Sequence, residues 1–296
     1  MEVIFLGTSC MVPTKDRNHH SIFISHGTEG ILVDCGEGTQ RQLKLADIKP
    51  SRISKILISH WHGDHVLGLP GLFQTLNNSD YERKLEIFGP KGSKKFFSYM
   101  FKAFEFQNKI DYKITEIKKE KIFETMELEG FAYPLEHGMP CYGFVISEKD
   151  KRRIRVPFIK KLGIPDGPLL GSLQDNRPIA WQGKTISPEE ATYIVKGKKI
   201  GIISDTEMSP SCDTIAGDAD LLISEAAYES SLEDKAKEYK HLTARQAANV
   251  ASRNNVQKLV LTHFSQRYKT TGDILDDAKS VFDNVVCAYD LMKMTV

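Results

Sequence analysis

The sequence predicts a four-layer α/β protein, two sheets face to face with helices outside. Three observations lead there. Short apolar runs, at residues 3–6, 53–58, 200–203 and 259–261, each stop in a polar cluster, as buried strands do. Segments with helical apolar spacing alternate with these runs. The order of strands, a polar strand-end cluster and helices occurs in the first half and again in the second, although no repeat is visible in the sequence. The 296 residues are read as one domain, with a protruding arm inserted at 149–187.

In chain order, a strand at 3–6 closes in Gly7-Thr8. The loop Pro13-Thr14-Lys15-Asp16-Arg17-Asn18 follows and carries two cations. Residues 21–25 and 31–34 pair around a glycine turn. Asp34-Cys35-Gly36-Glu37-Gly38 has the small residues a tight strand-to-helix turn needs, and Thr39 is expected to cap the helix that follows. Pro50 breaks the chain before the strand at 53–58; residues 67–76 have helical spacing, and 85–88 form a strand. After Gly89-Pro90 comes a helix whose Phe96, Phe97, Met100, Phe101 and Phe104 are assigned to the core. Strands at 112–117, 122–126, 128–133 and 142–146 follow.

Residues 149–187 differ: they lack a period, hold several prolines and open with Lys151-Arg152-Arg153-Ile154-Arg155. A stretch this long inside an α/β domain is usually functional or disordered, hence its reading as an arm. Strands return at 194–195, 200–203, 221–223, 259–261 and 285–289, with helices at 243–253 and 274–282.

Composition excludes several classes. The formal net charge of +1 gives the whole chain no nucleic-acid signature, so any basic surface is local. Five scattered cysteines, never C-x-x-C, argue against a disulfide framework and a cysteine-zinc site. No apolar run reaches membrane-span length and no signal peptide is read, so a soluble cytoplasmic protein without a membrane partner is expected.

The chemistry gathers in Ser59-His60-Trp61-His62-Gly63-Asp64-His65. Three of the nine histidines and one carboxylate fall within six positions, directly after a strand. Imidazole and carboxylate together suit a borderline divalent cation. If the loop splays alternate side chains, His60 and His62 point one way and Asp64 and His65 another, which serves two metals. His137, Asp205 and His263 each stand at a strand end and could converge on the same rim. His241, ahead of Leu242-Thr243 at a helix start, has the type of a general acid; its alternative is a helix N-cap. Glu225, after the strand at 221–224, could hold that imidazole in one tautomer. Trp61 is expected to pack on the core, His19 and His20 to be a solvated pair, and His26 to lie at the surface.

These motifs resemble the metallo-β-lactamase superfamily and, within it, the tRNase Z family of tRNA 3′-end processing endoribonucleases, over essentially the whole chain. The loop at 13–18 resembles the family's P-x-K-x-R-N loop. Gly163-Ile164-Pro165 and Gly167-Pro168 resemble its tRNA-gripping arm. Thr262-His263-Phe264-Ser265-Gln266-Arg267-Tyr268 resembles its last metal motif. Ser224-Glu225-Ala226-Ala227 departs at two positions from the family's His-Glu-Ala-Thr, which bears on Glu225. Trp61 replaces a Phe or Leu.

The resemblance implies a metallo-β-lactamase sandwich with two zinc ions per subunit, manganese or iron being alternatives. His60, His62 and His137 would hold one ion, Asp64, His65 and His263 the other, and Asp205 would bridge. Such a pair clamps an in-line phosphoryl displacement and activates a shared water. Asp64 would orient that water and His241 would protonate the leaving oxygen. Lys15, Arg17 and Asn18 would clamp phosphates near the metals, with Ser265 and Arg267 of the last motif also against the substrate. Arg152, Arg153, Gly167 and Pro168 would grip the tRNA body, by shape rather than sequence. Precursor tRNA would be cut 3′ to the discriminator nucleotide, leaving a 3′-hydroxyl and a trailer 5′-phosphate, by a homodimer. Two alternatives remain open on the sequence: a small-molecule phosphodiesterase of the superfamily, and a non-catalytic RNA-binding relative.

Overall fold

In the computed structural model, which describes residues 1–105 and 107–296, the chain divides into two compact units. The first unit comprises residues 1–123, 130–146 and 199–296. It opens with three antiparallel strands, β1 (Glu2–Gly7), β2 (Ser21–His26) and β3 (Glu29–Val33). Helix α1 (Thr39–Leu45) follows, and β4 (Lys55–Leu57) pairs parallel to β3. Helices α2 (Gly63–Val66) and α3 (Leu69–Asn77), β5 (Leu85–Gly89), α4 (Ser93–Lys102) and β6 (Tyr112–Glu116) complete this half.

The second half begins with β7 (Lys121–Glu124), β8 (Leu128–Leu135) and β9 (Cys141–Glu148). Five further segments belong to the second unit: β10 (Lys151–Ile154), α5 (Val156–Lys161), α6 (Pro168–Gln174), the hairpin β11 (Ile179–Trp181) and β12 (Lys184–Ile186), and α7 (Pro188–Ala191) with β13 (Thr192–Val195). The first unit resumes with β14 (Lys199–Ile203), α8 (Pro210–Ala216), β15 (Leu221–Glu225), α9 (Glu233–Tyr239), α10 (Ala244–Arg253), β16 (Leu259–Thr262), α11 (Gly272–Lys279), β17 (Val285–Cys287) and β18 (Lys293–Thr295).

Among the described residues, one seven-stranded sheet runs β18-β1-β2-β3-β4-β5-β6 and another β17-β16-β15-β14-β9-β8-β7. Alternation along the strands shows why they stack. Ile4 and Leu6 of β1 join a core with Leu43 of α1, Phe73 of α3 and Phe97 of α4. Leu222 of β15 and Leu259 of β16 join another, with α8, α10 and α11. The residues between them, Val3, Phe5, Ile223 and Val260, are equally buried although they point to the opposite faces. Those faces are covered by each other: Phe88 of β5 meets Phe123 of β7, ring centroids 6.0 Å apart. Helix, sheet, sheet, helix is the expected four-layer order.

Local details correct several sequence expectations. Gly38, at φ 81°, rather than Thr39 occupies the N-cap of α1; Thr39 Oγ1 donates to Gly36 O at 2.7 Å instead. The helix expected over 67–76 starts later, at Leu69, and is separated from α2 by Leu67 and Gly68. The chain passes so close to the α1 turn there that a Cβ on Gly68 would lie 2.1 Å from Gly36 O. The aromatic stripe of α4 is only partly core. Phe97 is buried, whereas Phe96 and Phe104 are exposed, and Phe96 packs on Trp61 at 5.4 Å.

The second unit, residues 124–129 and 147–198, is longer than the arm read at 149–187. It is also more ordered than its lack of period implied. Ile159, Ile164, Leu173, Ile179, Ile186 and Ala191 form its own small core. Ser187 and Glu190 form a capping box on α7.

Phe73, fully buried, meets the rings of Phe97, Phe101 and Tyr112 at 4.8–5.3 Å. Phe73→Ala is expected to cost about 3–5 kcal/mol of stability, read as a lowered midpoint in denaturant unfolding.

Candidate metal centre

All seven expected ligands meet at the strand ends of the first unit. β4 delivers Ser59 and His60, and the extended His62 leads into α2, whose single turn places Asp64 and His65. The expected loop is thus half helix. Its position is fixed from below: Cys35 N donates to His65 O at 2.7 Å, and Gly68 N to Cys35 O at 2.9 Å. From the other sheet, β8 leads to His137, β14 to Asp205 and β16 to His263, which sits at φ 62°.

The donor atoms form two groups. His60, His62, His137 and Asp205 offer ligand atoms within 4.8 Å of one another, and so do Asp64, His65 and His263. In the first, His62 Nδ1 faces His60 Nε2 at 3.0 Å and His137 Nε2 at 3.2 Å. In the second, His263 Nε2 lies 3.2 Å from His65 Nε2 and 3.4 Å from Asp64 Oδ2. Asp205 reaches both: Oδ2 is 3.7 Å from His60 Nε2 and 3.6 Å from His65 Nε2, and Oδ1 is 3.4 Å from His263 Nε2.

A carboxylate the sequence reading passed over as part of a turn fixes the tautomers. Asp34, fully buried at φ 56°, accepts from Ser59 N at 2.7 Å and Ser59 Oγ at 2.8 Å, and from His65 Nδ1 at 2.7 Å. Because the Ser59 hydroxyl donates to Asp34, it accepts from His60 Nδ1, 2.9 Å away. Both imidazoles therefore carry their proton on Nδ1 and turn the Nε2 lone pair inward. His137 does the same through Nδ1, 3.2 Å from Lys240 O.

The site fits a divalent cation. Imidazole nitrogens face one another, and Asp64 Oδ1 and Asp205 Oδ1 are buried without a hydrogen-bond partner. Only a cation satisfies converging buried lone pairs of this kind. Charge tells the same story. Burial, then His65, lowers the His60 pKa, and burial, then His137, lowers that of His62. At His65 burial opposes the charged form, but Asp205, Asp64 and Asp34 outweigh it and raise the pKa well above the usual value, so the carboxylates favour a positive charge at its Nε2, which a divalent cation would supply in place of a proton.

The proton donor expected at His241 lies beside this cluster. It is not the helix cap; Thr243 caps α10 in a capping box with Gln246. His241 Nδ1 is 3.0 Å from Glu225 Oε1 and 4.0 Å from Asp205 Oδ2. Burial disfavours its cation, but Glu225 and Asp205 overcome this and raise its pKa to about 9. Glu225 also accepts from Thr206 N at 2.9 Å, Leu242 N at 3.1 Å and Ala227 N at 3.3 Å, so it ties the loops after β14 and β15 to the connection between α9 and α10 despite its altered neighbours.

The other expected site residues fare differently. Arg17 and Asn18, read as phosphate clamps, are spent on the chain itself. Arg17 Nη2 donates to Tyr268 O at 2.6 Å and Ser265 O at 3.3 Å, and Asn18 Nδ2 donates to Glu37 O at 2.7 Å. The Lys15 side chain is 91% exposed and pairs with Asp16, Nζ to Oδ2 3.9 Å. Ser265 and Arg267 line a cavity of about 550 Å³ together with His62, Asp64, His241 and His263. Trp61 packs against the core as expected and donates to Ser93 Oγ at 2.8 Å. His19 and His20 are not a solvated pair. Both are buried, and the His20 ring lies 5.3 Å from that of His65. Burial, then His65, pushes the His20 pKa down to about 3.

Within the second unit, Arg152 bonds to Thr192 Oγ1 at 3.1 Å, Arg153 is exposed, and Gly167 with Pro168 starts α6.

The family model for the metallo-beta-lactamase superfamily matches residues 14–153. A Ribonuclease Z of Methanothermobacter thermautotrophicus is 39% identical over 297 residues, covering 100% of this chain and 97% of the relative. The chain belongs to the ribonuclease Z family. A Ribonuclease Z of Bacillus cereus is 36% identical over 306 residues, covering 100% and 99%. A human tRNase Z, short form, has a similar crystal structure, with a TM-score of 0.72 at 27% identity, covering 100% of this chain and 99% of that one. The fold is thus the metallo-β-lactamase fold, as the ribonuclease Z resemblance implied.

Asp34→Asn retains a residue type that tolerates a left-handed backbone but removes the charge that orients His60 and His65. Metal affinity is expected to fall roughly 10- to 100-fold, measured by competition with a chromogenic chelator.

Proposed function

We propose that this protein is a zinc-dependent endoribonuclease that removes the 3′ trailer from precursor tRNA. The cut leaves a 3′-hydroxyl on the tRNA and a 5′-phosphate on the trailer. The observation that carries the reading is the Glu225–His241 pair beside the ligand cluster, 4.0 Å from Asp205. A metal centre alone fits any hydrolase of the superfamily. A proton donor held next to it suits a reaction whose leaving group is an alkoxide, as the ribose 3′-oxygen is. Family membership supports the substrate class.

In this proposal His60, His62 and His137 would hold one zinc ion, Asp64, His65 and His263 a second, and Asp205 would serve both; manganese or iron would suit the same donors. When bound, such ions would supply Lewis acidity to the phosphoryl oxygens and lower the pKa of water. Asp64 uses its free oxygen to orient the attacking water and take its proton. His241 donates from Nε2 to the departing 3′-oxygen while Glu225 keeps Nδ1 protonated.

The remaining expectations complete the proposal. The second unit serves as the tRNA-gripping arm through Arg152, Arg153 and the Gly167-Pro168 corner. Lys15, with its exposed charge, meets phosphate directly. Arg17 and Asn18 act by holding the loop that carries it. The protein works in the cytoplasm as a homodimer. Among the described residues no helix is long and apolar enough to cross a membrane.

A defined precursor tRNA, with both product ends mapped, tests the reading. Wild type should yield the stated ends. Asp64→Ala should abolish cleavage, and His241→Ala should slow it roughly a hundredfold or more. A His241→Ala enzyme with normal turnover removes that residue from the mechanism.

A further inference from the structure

Beside His241, the cavity carries a flat surface that the mechanism does not use. The Arg267 guanidinium lies over the Tyr228 ring, Cζ 5.4 Å from its centroid. The Tyr228 ring is in turn 6.2 Å from that of His241. Both residues line the same cavity as the ligands, and so does Tyr239, which is 55% exposed. Tyr228 is nearly buried, so the exposed face of the pair belongs to Arg267.

Tyr228, the backing of the pair, is tied to the segment that carries the proton donor. Ala244 N donates to Tyr228 O at 2.8 Å, and Tyr228 bridges Thr243, the cap residue of α10, two positions after His241.

The proposed reaction says what must lie there. If the tRNA keeps a 3′-hydroxyl, the leaving atom is the 3′-oxygen of its last nucleotide. His241 must reach that oxygen within hydrogen-bonding distance, so the ribose of that nucleotide sits against His241. Its base is carried on the same ribose and falls beside the neighbouring wall. Single-stranded bases bind by stacking on aromatic rings or on arginine planes.

We infer that the Arg267 guanidinium, backed by Tyr228, is the shelf on which the last retained base of the RNA stacks. This rests on the tRNA-processing reading. The shelf offers a plane rather than a pattern of donors and acceptors, so it accepts all four bases and responds to whether a base is present. It orients the nucleotide whose 3′-oxygen His241 protonates.

The test uses the full-length protein and precursors that differ at that nucleotide: the four bases and an abasic ribose. For wild type, kcat/KM for the intact precursors should exceed that for the abasic one roughly 5- to 150-fold, the worth of one stacked base. Differences among the four bases should be smaller. Arg267→Lys keeps the charge and loses the plane. It should bring the intact-to-abasic ratio close to one, and Tyr228→Leu should reduce it as well. Because Arg267 is exposed, its variant decides the matter even if Tyr228→Leu fails to fold. A wild-type ratio near one, or a ratio that Arg267→Lys leaves unchanged, overturns the shelf while cleavage itself continues. Failure of wild type to cleave any precursor overturns the processing reading and this inference with it.

Discussion

The buried carboxylate of Asp34 is the constraint on which the site depends. It accepts hydrogen bonds from the Ser59 backbone, the Ser59 hydroxyl and His65, and through that hydroxyl it governs His60. A neutral imidazole has one nitrogen that donates and one that accepts. By taking the donors, Asp34 sets which nitrogen of each ring faces the metal centre. One group thus orients an imidazole in each of the two donor groups, and its left-handed backbone turns the chain from β3 toward α1.

The sandwich makes the convergence possible. His60, His137, Asp205 and His263 stand just past strand ends, where the ladder stops consuming side-chain directions, and His62, Asp64 and His65 follow in the turn into α2. Two sheets packed face to face bring such ends together from opposite sides, so His60 and Asp205, far apart in the chain, approach to 3.7 Å. The loops are tied across that rim. Phe264 N donates to Thr8 O, Cys10 N to Phe264 O, and Glu136 pairs with Glu207. The result is a set of polar groups held close together on elements tied to the two sheets.

Much of this was legible in the chain, for reasons that differ residue by residue. His60, His62, Asp64 and His65 stand close enough to read as a group. His137, Asp205 and His263 become readable only when each is taken as a strand-end residue, which needs the fold. Asp34 also stands at a strand end, yet nearby glycines made a turn a sufficient explanation, and a hydrogen-bond hub leaves no trace in spacing. His19 and His20 follow a charged loop and read as solvated; the bridge from Ser9 to His19 draws that segment inward. The commitment of Arg17 to Tyr268 and Ser265 was invisible because sequence displays charge but not the carbonyls that will absorb it. The order within residues 147–198 was hidden by proline-broken elements too short to show a period.

The proposed chemistry requires a pair of cations that share the Asp205 carboxylate. Crystals of protein purified without chelator, measured above and below the zinc absorption edge, test it most directly. Two anomalous peaks are expected, one among His60, His62 and His137 and one among Asp64, His65 and His263, each within coordination distance of Asp205. A single peak remote from Asp205, or full activity in crystals and solution with no ion at either position, would contradict it.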